Sequence, residues 1–202
     1  KRYMPRFFGH KAGVDALVKT VLSCADRGIE YLTVFAFSSE NWKRPTEEVS
    51  GLMGLVLVAV AKYLTKLASH GVRIKIIGDR GEVSDKLREA WEQAESITRD
   101  NTRITLSVAF NYGGRWDVVQ ACRQAMRDGV PPEQLDEATL GRYMALSHAP
   151  DPDLFIRTGG AWSQQSYVKA SNTLGNQYFG YSVALSDDGD TLAVSAPWED
   201  GG

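Results

Sequence analysis

The sequence predicts an α/β fold in which a mostly parallel sheet is flanked by helices, followed by a short β-rich C-terminal tail. Runs rich in β-branched and aromatic residues, at positions 31–37, 72–77 and 103–110, alternate with longer stretches whose apolar residues recur at helical spacing. Strands that alternate with helices join through right-handed crossovers, which make neighbouring strands parallel. After Gly160 the chain becomes rich in Ser, Asn, Gly and Asp, and its apolar runs become short and alternating.

Four long helices and one short helix are predicted before, between and after these strands. The first ends before Gly28, a suitable C-cap, and the second stops before Gly71. The second begins at Pro45, where proline and the acidic residues after it suit the positive end of the helix dipole. The predicted helices cover residues 10–27, 45–67, 84–99, 116–127 and 136–146, and a last brief strand covers residues 154–156.

The composition bounds the classes of function. The 202 residues are 43% hydrophobic, and 23 Lys and Arg stand against 25 Asp and Glu. The chain therefore offers no broad positive field for nucleic acid, and any anion site must be local. Cys24 and Cys122 lack metal-ligand spacing, which predicts buried thiols in a reducing compartment. No signal peptide is visible and the longest apolar run, residues 55–61, is too short to span a bilayer. We therefore expect a cytoplasmic protein.

The loop at residues 37–45 (FSSENWKRP) is the densest group of side chains that could carry chemistry. It leaves a predicted strand at its carboxyl end, where open α/β sheets place their ligands. Hydroxyls, a carboxylate, an amide, an indole and a guanidinium lie within it. Spacing alone equally allows an ordinary capped helix start with Trp42 packed on the core. The loop is thus a candidate site with a structural alternative.

Four ordered motifs carry a family resemblance: RFFGH at residues 6–10, the loop at 37–45, NYGGRWD at 111–117 and DLFIRTGG at 153–160. Through them residues 1–160 resemble the cis-prenyltransferases, the isoprenyl transferase family of the undecaprenyl diphosphate synthase type. The resemblance implies an enzyme that condenses isopentenyl diphosphate with an allylic diphosphate, usually farnesyl diphosphate, and makes cis double bonds. It also implies Mg²⁺, a homodimer, polyprenyl biosynthesis for the cell wall, and a place in the cytoplasm or at the inner membrane surface.

The resemblance also implies roles for residues of the motifs. Catalytic roles fall to Asn41, which would assist deprotonation of the condensing substrate, and to His10, near the phosphates. Guanidinium groups beside glycines or turns suit phosphate, because they donate two hydrogen bonds at once. No metal ligand is assigned in this chain. The substrate-binding residues are Arg6 at the diphosphate, Arg157 at the isopentenyl diphosphate, and Ser38, Glu40, Trp42 and Arg44 in the loop.

A growing polyprenyl chain needs a long apolar slot, and the second predicted helix could line it together with strand residues. Ordinary core packing explains the same pattern. The candidate lining residues are Leu52, Leu55, Val56, Val58, Ala59, Leu64, Ile104, Leu106 and Val108.

The sequence departs from the family pattern at both ends. The segment Asp-Gly-Asn-Gly-Arg-Trp, whose Asp coordinates magnesium in the family, would lie before Lys1. After residues 157–160 (RTGG) the chain reads AWSQQ at 161–165, where the family has a Glu and then an Arg and a Ser for isopentenyl diphosphate. The later metal-binding Glu and the dimerisation segment are not found. We therefore expect a core without its N-terminal motif and C-terminal part, and little or no activity from this chain alone.

Residues 161–202 are predicted to form a second unit. Two alternating runs around an Asp-Gly turn predict a hairpin, and the segment resembles one FG-GAP repeat, the blade unit of integrin-like propellers. A single blade gets no core from neighbours, so the tail should be marginally stable. Two alternatives to a transferase stay open: a binding or adhesion module that acts through this tail, and a chimeric fragment without an evolved joint function.

Overall fold

A computed structural model describes residues 6–156 and the short segments 166–168, 182–185 and 192–195, with side chains for residues 13–154. The described helices are α1 (Arg6–Asp26), α2 (Thr46–Ser69), α3 (Asp85–Thr98), α4 (Gly114–Arg127) and α5 (Glu137–Tyr143). The strands in the same ranges are β1 (Tyr31–Ser38), β2 (Val72–Ile77), β3 (Ile104–Tyr112), β4 (Leu154–Ile156), β5 (Ser166–Val168), β6 (Ser182–Leu185) and β7 (Leu192–Ser195).

The main sheet has the strand order β2-β3-β1-β5-β4. β1, β2 and β3 are parallel, which confirms the predicted α/β class and parallel core, while β5 runs antiparallel to β1 and β4. The segment β5 lies beyond Gly160, yet it is hydrogen-bonded to the core sheet. The boundary at residues 160 and 161 stays a prediction, as does the division into two domains.

Most of the predicted elements match the structure within a few residues. β2 and β4 have the predicted bounds, and Ser84 caps α3 as its side chain accepts from the Leu87 amide. β3 runs two residues further than predicted, because Asn111 takes a left-handed conformation (φ 51°) and pairing with β1 resumes at Tyr112. α5 is shorter than predicted. Its N-cap Asp136 accepts from the Thr139 amide at 2.7 Å, and it ends at Tyr143.

The core consists of two buried clusters. In the first, residues of α1 and α2 pack on the three parallel strands, with Val21, Val72 and Ile104 at most 1% exposed. The second is aromatic: Phe37 stacks on Phe110, with ring centroids 5.0 Å apart, and Trp91 meets the Phe110 ring edge-on at 4.9 Å. This cluster lies under the carboxyl ends of β1 and β3 and therefore gives the loops there a rigid base.

Two further predictions can be compared with the structure. β6 and β7 pair antiparallel from Ser182 opposite Ser195 to Leu185 opposite Leu192, so the two predicted tail strands are confirmed as a pair. The turn between them lies outside the described residues. Cys24 and Cys122 are free and half-buried rather than fully buried. Burial raises the pKa of the Cys24 thiol, which keeps it protonated and unreactive.

Candidate functional site

The carboxyl ends of β1, β2 and β3 meet at one edge of the sheet, because the three strands are parallel. The loops at residues 38–45, 78–84 and 112–114 leave the strands there. α1 returns along the sheet before β1 begins. Its length of about 30 Å, at 1.5 Å per residue, brings its first turn to the same edge. The backbone of Arg6 and His10 lies in that first part of α1.

The loop after β1 is a short 3-10 helix, Ser39–Lys43, fixed by a capping box. The Ser38 hydroxyl accepts from the Glu40 amide at 3.1 Å, and the Asn41 Oδ1 accepts from the Ser38 amide at 2.9 Å. The Asn41 oxygen is therefore used by the backbone, and no described group accepts from its NH₂. The side chain of Asn41 can act on a ligand as a hydrogen-bond donor.

Trp42 turns inward and anchors the loop. Its ring meets Phe37 edge-on at 5.1 Å, and its indole Nε1 donates to Asn111 Oδ1 at 2.8 Å. Asn111, 4% exposed, donates in turn through Nδ2 to the carbonyl of Asp79 at 3.0 Å, while the Asp79 amide donates to the Asn111 carbonyl at 3.1 Å. One buried asparagine thus connects all three strand ends.

Two glycines allow the loops to approach this closely. Gly78 has φ 123°, and a Cβ there would lie 2.0 Å from the Phe110 carbonyl oxygen. A Cβ on Gly113 would lie 2.7 Å from the Ser39 hydroxyl. Gly78 therefore requires glycine, because the clash would be with backbone and φ is positive, whereas a side chain at Gly113 would require the Ser39 hydroxyl to rotate away.

The charged residues of the loop face solvent. Glu40 and Arg44 are exposed, and the Arg44 guanidinium pairs with Glu48 through one nitrogen at 2.9 Å. The remaining donors of Arg44 point to no described partner. The structure therefore brings Ser38, Glu40, Asn41, Trp42 and Arg44 into one turn, as the sequence predicted. The side chains of Arg6 and His10, and Arg157 as a whole, lie outside the described residues, so their roles and their approach to this turn stay predictions.

An apolar groove of about 450 Å³ lies between α1 and α2. Leu55, Val58 and Ala59 line it, as predicted, and Val58 is 61% exposed. Gly51 and Gly54 contribute bare backbone, and a Cβ on either would meet no atom within 4 Å. The lining consists of Val14, Asp15, Gly51, Gly54, Leu55, Val58, Ala59, Lys62 and Tyr63.

Polar side chains close the far end of this groove. The Tyr63 hydroxyl donates to Asp15, and Lys62 Nζ lies 3.5 Å from the same carboxylate. The predicted contribution of strand residues is wrong, because Ile104 and Leu106 are 1% and 4% exposed within the core. Leu52 and Val56 pack on the aromatic cluster instead. The groove is therefore a cleft between two helices.

α2 is also apolar over most of its length, and its charged residues are Glu47, Glu48, Lys62 and Lys66. By length and composition it is the one helix, among the described residues, that could cross a membrane. The uninterrupted apolar run covers only residues 55–61; the uncharged residues 49–54 precede it, and Lys62 follows it directly. Little of this stretch is buried.

Within the described residues, no three His, Cys, Asp or Glu side chains come close enough to hold a metal ion. Glu40 and Asp79 follow β1 and β2 in different loops, and Asp79 Oδ1 accepts from the Gly81 amide at 2.8 Å. The described part of the site thus offers hydrogen-bond donors and an apolar cleft rather than a metal centre.

Comparisons with known proteins agree with this arrangement. The undecaprenyl diphosphate synthase family model matches residues 1–166, and the FG-GAP repeat model matches residues 162–202. The chain is 46% identical over 179 residues to a Neisseria meningitidis protein named isoprenyl transferase, covering 89% of this chain and 71% of that protein.

Two further relatives are more specific in name. A Pseudomonas aeruginosa protein named ditrans,polycis-undecaprenyl-diphosphate synthase, farnesyl-diphosphate specific, is 46% identical over 164 residues, 79% of this chain and 64% of that protein. Lavandulyl diphosphate synthase from Lavandula x intermedia, solved with dimethylallyl diphosphate, superposes with a TM-score of 0.68 at 27% identity. That match covers 71% of this chain and 64% of the solved chain.

Proposed function

Since the chain belongs to the undecaprenyl diphosphate synthase family of prenyltransferases, we propose that it binds an allylic diphosphate and condenses it with isopentenyl diphosphate in cis geometry. The observation that carries the proposal is the continuity of α2. This helix begins at the polar loop and lines the apolar groove from Gly51 onward, about 8 Å along its axis. An amphiphile with an anionic head and a prenyl tail would place its head at the polar loop and its tail in the apolar groove.

The head-group end of the proposed site is built of donors. Arg44 has guanidinium donors, and Asn41 an NH₂ group, that bind no other described residue, and Thr46 and Glu47 are the first amides of α2. Hydrogen bonds to charged groups are each worth about 1.5–3 kcal/mol. Arg6, His10 and Arg157 would add to this set by family resemblance. Ser38 and Trp42 position the loop, the first as its cap and the second through Asn111.

The proposed chemistry breaks the allylic carbon–oxygen bond, forms the new carbon–carbon bond, and removes a proton from the condensing substrate. Asn41 contributes as a donor, because its oxygen is held by the Ser38 amide. A diphosphate oxygen then takes the proton, and the amide orients that diphosphate. Donors aimed at the leaving diphosphate stabilise its developing charge.

Magnesium is the metal that the resemblance implies. No cluster of three potential ligands exists among the described residues, and no described carboxylate is assigned to it. We therefore assign no step to a metal. Farnesyl diphosphate as the allylic substrate, a homodimer, and a cytoplasmic location at the inner membrane surface are further parts of the proposal. The exposed apolar face of α2 supports a lipid product near a membrane.

Binding of farnesyl diphosphate tests the proposal without requiring turnover. Val58→Glu places a charge in the groove and should weaken binding at least about tenfold in calorimetry, because burying a charge beside a prenyl tail is costly. Ile97→Glu is the matched control: Ile97 is 54% exposed, on α3 and away from the groove. Equal affinity of the two variants would overturn the proposed tail site. Incorporation of labelled isopentenyl diphosphate into butanol-extractable product then tests turnover.

A binding role of the tail is the second candidate function. The match of residues 162–202 to the FG-GAP repeat and the paired strands β6 and β7 favour it. A chain ended after Val168 separates the two functions. Farnesyl diphosphate affinity equal to that of the full chain would assign the transferase role to the α/β part and leave the tail for other partners.

A further inference from the structure

A second cavity, of about 400 Å³, lies at the β2 edge of the sheet. Val72 and Ile74 pack into the core with α2, so the alternate residues Arg73 and Lys75 face the opposite side of the sheet. α3 and the segment after α5 complete the walls. The residues that matter to its chemistry are Arg73, Lys75, Glu95, Arg99 and His148. The cavity therefore lies on the other face of the sheet from the groove between α1 and α2.

His148, which lines this cavity, is held by a polar contact with the buried Ser107. The Ser107 hydroxyl lies 3.0 Å from His148 Nε2, and Ser107, opposite Lys75 in the register, is 2% exposed. The segment that carries His148 is held by Asp117. That buried carboxylate accepts from the Ala145 amide at 2.9 Å and from the Tyr112 hydroxyl at 2.7 Å. The wall of the cavity that carries His148 is therefore held in place without a ligand.

The charges in this cavity do not balance. The Glu95 carboxylate is already engaged, with the Arg80 guanidinium and the Ile76 amide both at 2.8 Å. Arg73 and Lys75 have no carboxylate partner among the described residues. Arg99 approaches only the exposed Asp100, at 3.9 Å. The cavity thus has three cationic side chains and one carboxylate that is neutralised elsewhere.

The pKa values of two side chains reflect this excess of positive charge. Burial and then Arg73 lower the pKa of Lys75, with Glu95 opposing. Burial, Lys75 and Arg73 lower the pKa of His148 to about 4, against a backbone hydrogen bond at Ala145 that raises it. His148 is therefore neutral near pH 7. A bound anion would offset the repulsion that both side chains experience.

We propose that this cavity binds a small phosphate-bearing anion, of the size of diphosphate, at a site separate from the loop after β1. Two guanidinium groups and one ammonium group converge there, and guanidinium forks match phosphate oxygens in pairs. Arg73 and Lys75 lie in the first four residues of β2, away from its carboxyl end. The inference rests on the cavity and its charges, independently of the proposed transferase activity.

Histidine NMR provides a local readout, since the chain has three histidines. Inorganic pyrophosphate is titrated at constant ionic strength and neutral pH, and the Hε1 shifts of His148 and His70 are followed. A His148→Gln variant assigns the signals. The expected result is a saturable shift of His148, while His70, at the end of α2 and outside the cavity, does not follow it.

Matched variants locate the anion. Lys75→Met keeps the length of the side chain without its charge and should weaken pyrophosphate at least about tenfold. Lys86→Met, an exposed lysine of α3 outside the cavity, should leave the affinity unchanged. If Lys75→Met does not fold, Arg99→Gln at the exposed rim should still weaken binding about threefold or more. A non-saturable shift, or an affinity of the folded Lys75→Met and Arg99→Gln variants equal to that of the unmodified chain, overturns the proposal.

Discussion

The buried Asn111 should contribute strongly to stability, because its hydrogen bonds connect three loops. Its own backbone takes a left-handed conformation. Asn111→Ala removes the hydrogen bonds to the Trp42 indole, at 2.8 Å, and to the Asp79 carbonyl, at 3.0 Å. Each is worth about 1 kcal/mol. Alanine at φ 51° adds about 1 kcal/mol of backbone strain. The free energy of unfolding should therefore fall by about 3 kcal/mol.

Asn111→Gly separates the two causes. Glycine loses the same hydrogen bonds but adopts a positive φ without strain, so this variant should be about 1 kcal/mol more stable than the alanine variant. Urea unfolding followed by tryptophan fluorescence measures both. Equal stability of the two variants would show that the backbone conformation costs nothing at this position. Wild-type stability in both would refute the role of the two hydrogen bonds.

The remaining predictions concern stability at three other positions. Gly78→Ala should destabilise the chain by about 3 kcal/mol or more, since its Cβ would meet the Phe110 carbonyl. Gly141→Ala, in α5 with open space around it, should be neutral or stabilising. Thermal unfolding compares the two variants, and an equal loss of stability in both would refute the role of the Phe110 contact. The neutral His148, with its pKa lowered from 6.5 to about 4, favours the folded state above pH 6.5. This contribution should decline as the pH falls toward 4, because the unfolded state is protonated first. A His148→Gln variant with the same pH slope in urea unfolding would contradict it.

The sequence predicts regular elements well where a single periodicity governs them. β2 is bounded by Gly71 and Gly78 and has the predicted ends. The end of β3 could not be predicted, because the sequence NYGG at residues 111–114 is typical of a turn. In the structure Asn111 takes a left-handed backbone conformation, and strand pairing continues after it. The contact that decides this, with Trp42, joins residues 69 positions apart.

The candidate site was predictable in position but only partly in chemistry. The loop after β1 lies at the carboxyl edge as expected, yet the Asn41 oxygen serves the Ser38 amide, a capping role that Ser-x-x-Asn spacing can indicate. The cationic cavity was missed because His148 and Lys75 come together only through the fold. Its one local signal is the alternation in VRIKII, residues 72–77, where Arg73 and Lys75 share one face of a strand.

The two glycines in the wall of the groove make α2 less stable but leave more open space in the groove. Glycine in a helix interior costs about 0.5–1 kcal/mol relative to alanine, and α2 contains Gly51 and Gly54 one turn apart. A methyl group at either position would meet no atom, so nothing in the packing forbids alanine there. Alanine at both would give a more stable helix and a shallower cleft. The depth of the groove is therefore maintained by residues whose only local effect on α2 is to weaken it.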